Sequence, residues 1–371
     1  MRYFSPSSLF LSLFPRGART AARRWSKGNS AYRTASTNAL VYDSFGQPEK
    51  VVKLERNFPV ASIGSEDVAV EMLACPINPS DINIIQGIYP LKPELPGVGG
   101  GEGVGVVRET GEGVTSVRSG DWVIPAGPSL GTWRGLIVAP EKRFVKVDSN
   151  VGLDIAATLS VNPPTAYRML KDFVSLQPGD SVIQNGGNSG VGLSVAQLAK
   201  AWGLGCISIV RDRPGLEDLV KRMKSFGATE VVTEDFAASH RMKDLLAQYK
   251  TPKLAFNCVG GKSSTTLLKH LSDGGVMVNY GGMGKQPVTV PVGYLIFKDV
   301  KVVGYWNSKW LERNLHNPLH QSMMEDLCQL ALSGHLQAPP TTHHPLSDYK
   351  TALVRSMEPY VGSKQIILMN H

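Results

Sequence analysis

The segment "SVIQNGGNSGVG" (181–192) constrains the fold more than any other stretch of the chain. An apolar run leads into a glycine cluster. Apolar residues then recur at Val191, Val195, Leu198 and Trp202, which is one face of a helix. Strand, glycine turn and helix in that order make a phosphate cradle. The backbone can approach a pyrophosphate closely, and the helix N-terminus presents free N–H groups. The spacing reads Gly186-x-x-Ser189-x-x-Gly192 with an extra Gly190, rather than GxGxxG. Alone, such a cluster also fits a tight turn that binds nothing.

The residues that follow favour a ligand. Strand patterns at 206–210, 229–233, 253–260, 275–282 and 300–305 alternate with helical ones at 215–226, 239–248 and 263–271. Strands alternating with helices predict a parallel, doubly wound sheet. In a dinucleotide site the second strand ends in an acidic residue that grips the ribose 2′-hydroxyl. Here "VRDRP" (210–214) places Arg211 and Arg213 around Asp212. A guanidinium pairs with a 2′-phosphate that a carboxylate would repel. The reading is NADPH rather than NADH; a solvated surface pair of arginines is the alternative.

Upstream, 38–160 holds short strand patterns such as "ALVYDSFG" (39–46) and "DVAVEMLACPIN" (67–78), separated by Gly- and Pro-rich turns. This predicts a β-rich first domain. The segment 160–173 reads as helical after its prolines and opens the nucleotide domain, 161–309. The remainder, 310–371, holds a helix at 319–333 and ends in strands that pack back on the first domain. The fold class is α/β: a doubly wound parallel sheet domain plus a β-rich domain.

The net charge of +8 suggests nucleic acid until it is located. Seven of the 39 Lys and Arg residues lie in 1–37, which has no Asp or Glu; the other 32 face all 31 acidic residues. The near-neutral body removes the electrostatic case for nucleic-acid binding. The serine-rich basic leader matches a mitochondrial transit peptide and is set apart from the fold. A secretory signal with "LFLSLF" (9–14) as its apolar core, or a plain tail, are the alternatives. No run of 18 apolar residues exists, so no spanning helix is expected. The cysteines, Cys75, Cys206, Cys258 and Cys328, are too scattered for a zinc knuckle and fit buried thiols.

The folded chain resembles the medium-chain dehydrogenase/reductase superfamily. A finer resemblance is to its zinc-independent, quinone-oxidoreductase-like branch, and there to mitochondrial trans-2-enoyl-CoA (enoyl-acyl-carrier-protein) reductases. The stretches that carry it are "INPSDINIIQGIYPLKPELP" (77–96), "GDWVIPAGPSLGTWR" (120–134), "QNGGNSGVG", "VRDRP", "NCVGGKSST" (257–265), "YGGMGKQPV" (280–288) and "SKQI" (363–366). Departures are Gly101, where the pattern has Asn, and "NGGN" for Asn-Ala-Ser-Asn. Zinc relatives need a Cys and a His from the first domain. This chain has no His before His240, and Gly101 precedes Glu102 where a Gly-His-Glu motif would stand. No metal is expected.

The resemblance implies a GroES-like catalytic domain, a Rossmann NADPH domain and reduction of a trans-2-enoyl thioester on acyl carrier protein or CoA in the mitochondrial matrix. Tyr89 matches the catalytic tyrosine, a donor to the thioester oxygen and to the α-carbon. On its residues alone, Tyr89 in a Pro/Gly loop reads as a packing or rim side chain. The implied cofactor residues are Asn162 near the nicotinamide; Asn188, Ser189, Gly190 and Val191 in the phosphate turn; and Arg211, Asp212 and Arg213 at the 2′-phosphate. Tyr280, Gly281, Gly282 and Met283, then Tyr305, Trp306, Asn307 and Ser308, follow strands on the nicotinamide side, and Lys364 reaches back from the C-terminus. Asn162 is otherwise an Asx turn or a helix cap, and Lys364 an exposed lysine. Trp310 is a weaker candidate for the acyl pocket. A homodimer through the edge strand near 300–305 is implied, with no nucleic acid and no membrane insertion. His343 and His344 read as a solvated loop, since neighbours on a strand face opposite ways.

Two rivals remain open at this point. One is a quinone or alkenal reductase on the same scaffold. The other is a non-catalytic, nucleotide-responsive RNA-binding or structural protein.

Overall fold

The computed structural model describes residues 36–315 and 317–369. Six parallel strands stand side by side in the order Glu230–Thr233, Gly205–Val210, Ser181–Asn185, Leu254–Asn257, Val276–Asn279, Lys301–Gly304. Counted along the chain this is 3-2-1-4-5-6, the dinucleotide-binding order. Its direction reverses between Ser181–Asn185 and Leu254–Asn257. Ligands bind in the crevice at the C-terminal ends of strands at such a reversal. Every residue of these two strands is buried, as befits a sheet covered by helices on both faces.

Helices Gly190–Ala201, Leu216–Ser225 and Gly261–His270 lie where the periodicity predicts them. The single helix predicted over 239–248 is instead two, Glu234–Ala238 and Arg241–Leu246. Thr233 Oγ1 accepts the Phe236 N–H at 3.2 Å and starts the first one early. Ser239, in an extended conformation, then breaks it.

The second body has a seven-stranded sheet. Thr341–Pro345, Lys364–Leu368, Asp67–Pro76, Val104–Thr110, Trp122–Pro125 and Phe144–Val147 are successive neighbours, and Leu136–Pro140 also pairs with Asp67–Pro76. A three-stranded sheet carries Val52–Pro59, Ser36–Tyr42 and Gly97–Val98. The C-terminal strand runs antiparallel to Asp67–Pro76, with Ile366 opposite Pro76 and Ile367 opposite Cys75. This pairing brings Lys364 beside Asn78.

Four expectations change here. The "INPSDIN" motif is a helix, Pro79–Ile85, not a continuation of strands and turns. Pro79 occupies its first turn, and the Asp81 carboxylate accepts the Asn78 N–H at 2.8 Å. Ser36 and Thr37, counted with the basic leader, already pair with Pro59 and Phe58; residues 1–35 of that leader lie outside the described residues. His343 and His344 are on strand Thr341–Pro345, not in a solvated loop. His343 Nε2 meets Asp154 Oδ1 at 2.6 Å, and buried His344 meets Gln365 Oε1 at 2.8 Å. Trp310 lies under the Arg168 guanidinium, 4.7 Å from it, away from the cleft described below. Helix Asn307–Asn314 turns Asn307, Ser308 and Leu311 toward the cleft and Trp310 to another side. All four cysteines are free thiols. No helix among the described residues is long and apolar enough to cross a membrane.

Candidate active site

A cleft of about 410 Å³ opens between the strand ends of the parallel sheet and helix Pro79–Ile85. Its first wall is the glycine turn. Ser189 Oγ accepts the Gly192 N–H at 3.1 Å and caps helix Gly190–Ala201. The first N–H groups of this helix, at Gly190 and Val191, have no intrahelical partner and face the cleft side with Asn188. Gly186 has φ +57°, and a Cβ there would sit 2.4 Å from Cys258 Sγ. A Cβ on Gly187 would sit 2.7 Å from the Ser208 Cβ. The "NGGN" departure thus has a local cause: this turn is too tightly backed for side chains.

A ladder of amides holds the strand ends behind the turn. Asn185 Nδ2 donates to Asn257 Oδ1 at 2.7 Å, Asn257 Nδ2 to Asn279 Oδ1 at 2.6 Å, and Asn279 Nδ2 to the Val303 carbonyl at 2.9 Å. In front of it, the buried Asn162 Nδ2 has no hydrogen-bond partner, and the buried Tyr280 hydroxyl, beside Ser189 and Cys258, makes no well-formed hydrogen bond. Asn162 is the first residue of helix Asn162–Asp172 and caps nothing, so the helix-cap reading fails. Burial holds the Tyr280 phenol well above its ordinary pKa. Buried donors without partners are rare in folded proteins and mark a place for a ligand atom. Gly281 and Met283 line the cleft too, Met283 with 62% of its surface open; Gly282 is exposed and off the lining.

Tyr89 and Trp306 meet across the cleft. Trp306 Nε1 donates to the Tyr89 hydroxyl oxygen at 2.8 Å, and the rings pack edge to face with centroids 5.9 Å apart. An indole N–H can only donate, so the phenol oxygen accepts and its own proton is left for another acceptor. Tyr305 donates to Asn307 Oδ1 at 2.9 Å, which fixes the side chain after the last strand.

The other wall carries a cluster of which the sequence singled out only Lys364 as a site residue. Lys364 Nζ donates to Asn78 Oδ1 at 2.7 Å, and Asn78 Nδ2 donates to Glu102 Oε2 at 2.8 Å. Glu102 Oε1 accepts the Val161 N–H at 2.8 Å and so ties the two walls together. Asp81 and Glu102 are buried, and Lys364 is partly buried rather than exposed. Burial raises Asp81 to about 7, opposed by the Asn78 N–H and supported by the nearby Glu102. Burial likewise raises Glu102 and lowers the Lys364 ammonium, which the two carboxylates pull back up. The signal available was the spacing of Asn78 and Asp81 within "INPSD", but nothing local pairs it with Glu102 or Lys364.

Arg211 and Arg213 stand at the end of strand Gly205–Val210, beyond the main cleft. Their guanidinium carbons lie 4.8 and 5.2 Å from the centre of the Tyr360 ring. Arg213 Nε is buried without a hydrogen-bond partner. Among the described residues no carboxylate is ion-paired to either arginine; Asp212 is exposed beside them. Val361 and Gly362, the residues after Tyr360, line the cleft, so the arginines sit at its far end. Free helix N–H groups, the orphaned Asn162 amide and two guanidiniums without a carboxylate fit a dinucleotide with a 2′-phosphate. A zinc ion does not fit: Gly101 offers no donor, and the Lys364 ammonium beside Asp81 and Glu102 would repel a cation.

Two family models match the chain, an alcohol dehydrogenase GroES-like domain over residues 64–149 and a zinc-binding dehydrogenase over 190–323. The human mitochondrial enoyl-acyl-carrier-protein reductase is 50% identical over 366 residues, covering 95% of this chain and 97% of that protein. The solved complex of Etr1p with NADP and crotonyl-CoA superposes with a TM-score of 0.83 at 34% identity, over 90% of this chain and all of that one. The Etr1p/Etr2p heterodimer of the mitochondrial 2-enoyl thioester reductase from Candida tropicalis matches equally, with a TM-score of 0.83 at 34% identity over 90% of this chain and 100% of that one.

Proposed function

The chain belongs to the mitochondrial enoyl-acyl-carrier-protein reductases of the medium-chain dehydrogenase/reductase superfamily, and from that premise we propose how its cleft reduces trans-2-enoyl thioesters to saturated acyl thioesters. Bound NADPH supplies a hydride to the β-carbon of the enoyl group. Negative charge then develops on the thioester oxygen, and a proton must reach the α-carbon. Tyr89 is the group for both tasks. The observation that carries this is the Trp306 contact, which occupies the phenol oxygen's lone pair at 2.8 Å and leaves the O–H to donate into the cleft.

We assign the phosphates to the N–H groups of Gly190 and Val191 with Asn188 and Ser189, and the 2′-phosphate to Arg211 and Arg213. Asp212 is exposed between them and supports their spacing rather than a contact. We likewise assign the amide of Asn162 and the hydroxyl of Tyr280 to polar groups at the nicotinamide end, with Gly281, Met283, Tyr305, Trp306, Asn307 and Ser308 around it and Gly282 in the same turn. Lys364 acts through Asn78 by setting the charge of that wall. In this reading 38–160 and 310–371 form the catalytic unit and 161–309 the cofactor unit.

The enzyme works in mitochondria, on acyl groups carried by acyl carrier protein or CoA. The basic leader supplies the address. For the homodimer, the support is an apolar patch beside the outer edge of Lys301–Gly304, where Phe297 is 83% exposed with Ile296 and Val292 next to it. Following NADPH oxidation with a trans-2-enoyl-CoA series, a quinone and an alkenal tests the assignment. Turnover of the enoyl thioesters well above the other two is expected; preference for the quinone would overturn it.

A further inference from the structure

Tyr360 sits in the return segment between helix Tyr349–Met357 and strand Lys364–Leu368, on the opposite body of the protein from Arg211 and Arg213. Its φ of +60° is a left-handed conformation that a bulky side chain rarely adopts. It is 49% exposed, so burial of the ring in a core does not hold it there. What the ring does touch is the two guanidiniums, at 4.8 and 5.2 Å. A third lies close by: a Cβ on Gly362 would be 3.8 Å from Arg222 Nη2. Three like charges converge there, and among the described residues none has a carboxylate partner. Such a group gains little from staying together on its own. An aromatic face, negative at its centre, gathers cations without neutralising them.

We propose that Tyr360 is a specificity-determining residue for the 2′-phosphate end of the cofactor. Its ring keeps Arg211 and Arg213 gathered and aimed, so that less side-chain freedom is lost when the phosphate pairs with them. This rests on the reading of the two arginines as 2′-phosphate ligands. Because the ring comes from the opposite body, the choice of NADPH is shared between both halves of the molecule.

The test is calorimetric binding of 2′-phospho-ADP-ribose and of ADP-ribose, which needs no turnover. Wild type, Tyr360→Ala, Tyr360→Phe and the double variant Arg211→Ala/Arg213→Ala are compared, with thermal unfolding run on each. Two exposed cation–ring contacts correspond to about a fivefold to thirtyfold loss of 2′-phospho-ADP-ribose affinity in Tyr360→Ala. ADP-ribose binding should stay within about twofold, and Tyr360→Phe, which keeps the ring, should stay near wild type. Equal loss for both ligands, no loss, or tighter binding in Tyr360→Ala each overturns the proposal. If the double arginine variant fails to separate the two ligands, the 2′-phosphate reading falls, and the role of Tyr360 with it.

Discussion

The wall of the cleft and the region beyond its far end each carry a charged group, and the two are built on opposite principles. At Asp81, Glu102 and Lys364 charges of both signs are held inside the protein, and Asn78 hydrogen-bonds to all three. At Arg211 and Arg213 two like charges stand together, one exposed and one partly buried, and both meet an aromatic ring rather than a carboxylate partner. The first region is nearly complete without a ligand, because burying unpaired charge costs several kcal/mol per ion. The second is incomplete, and that is affordable only because water screens it until an anion arrives. The contrast separates groups that shape the site from groups that recognise something. Tyr89 lies between the two types, with one hydrogen bond made by Trp306 and one left to give.

Substitutions should respect this division. Tyr89→Phe is expected to have the largest effect, on turnover alone. Losing one donor to a developing oxyanion costs ~2.7–4 kcal/mol, about 10²–10³ in kcat. Cofactor Kd should hold, since the ring remains. Near-normal kcat on crotonyl-CoA would remove Tyr89 as the acid, and loss of NADPH binding along with turnover would make it structural.

Arg211→Ala/Arg213→Ala should act on the other side of the division. Each charge-assisted contact is worth roughly 1.5–3 kcal/mol, so the NADPH KM should rise about tenfold or more per arginine. NADH use should barely move, and neither should the unfolding midpoint. Equal effects on both cofactors would erase the distinction between the two regions.

Lys364→Met probes the balanced region. Removing one partner of a fully buried ion pair costs ~3–5 kcal/mol. Lys364 is only partly buried, so ~2–3 kcal/mol of stability is expected. Denaturant unfolding with an unchanged m-value would measure it. A stable variant that merely binds cofactor poorly would move Lys364 to the recognition side.

The balanced region should also show a pH dependence. Asp81 is raised to about 7 in the folded protein, above the ~3.9 of an unfolded aspartate. Its contribution is therefore fully present below about pH 4 and is lost as pH rises through about 7. Wild type should lose stability relative to Asp81→Asn across that window. A difference that stays flat, or grows in favour of wild type, would show that Asp81 is held ionised.

Legibility in the sequence divided along the same line. The glycine turn, Arg211 and Arg213 were readable because a strand, a turn and the next strand end lie within one stretch of chain. Asn162 and Ser189 were placed by motif, and both lie at the cleft. Asp81 and Tyr360 were passed over, Glu102 was weighed only as part of an absent zinc motif, and Lys364 without the resemblance reads as an exposed terminal lysine. Trp310 was a weaker candidate for the acyl pocket, but its position on the helix carries it to Arg168 instead.

The order of strands and helices, the parallel sheet and its phosphate turn were determined by the sequence itself. They follow from periodicity and from backbone freedom at glycine, which are properties of neighbours in the chain. The hydrogen-bonded route from Lys364 through Asn78 to Glu102, the contact of Trp306 with Tyr89 and the ring between two arginines were decided only by the tertiary structure. Each joins residues far apart in sequence, 217 positions apart for Trp306 and Tyr89 and 286 for Lys364 and Asn78. The pairing of the last strand with Asp67–Pro76 sets the second of these distances, and no local pattern encodes which strand a C-terminal segment will join.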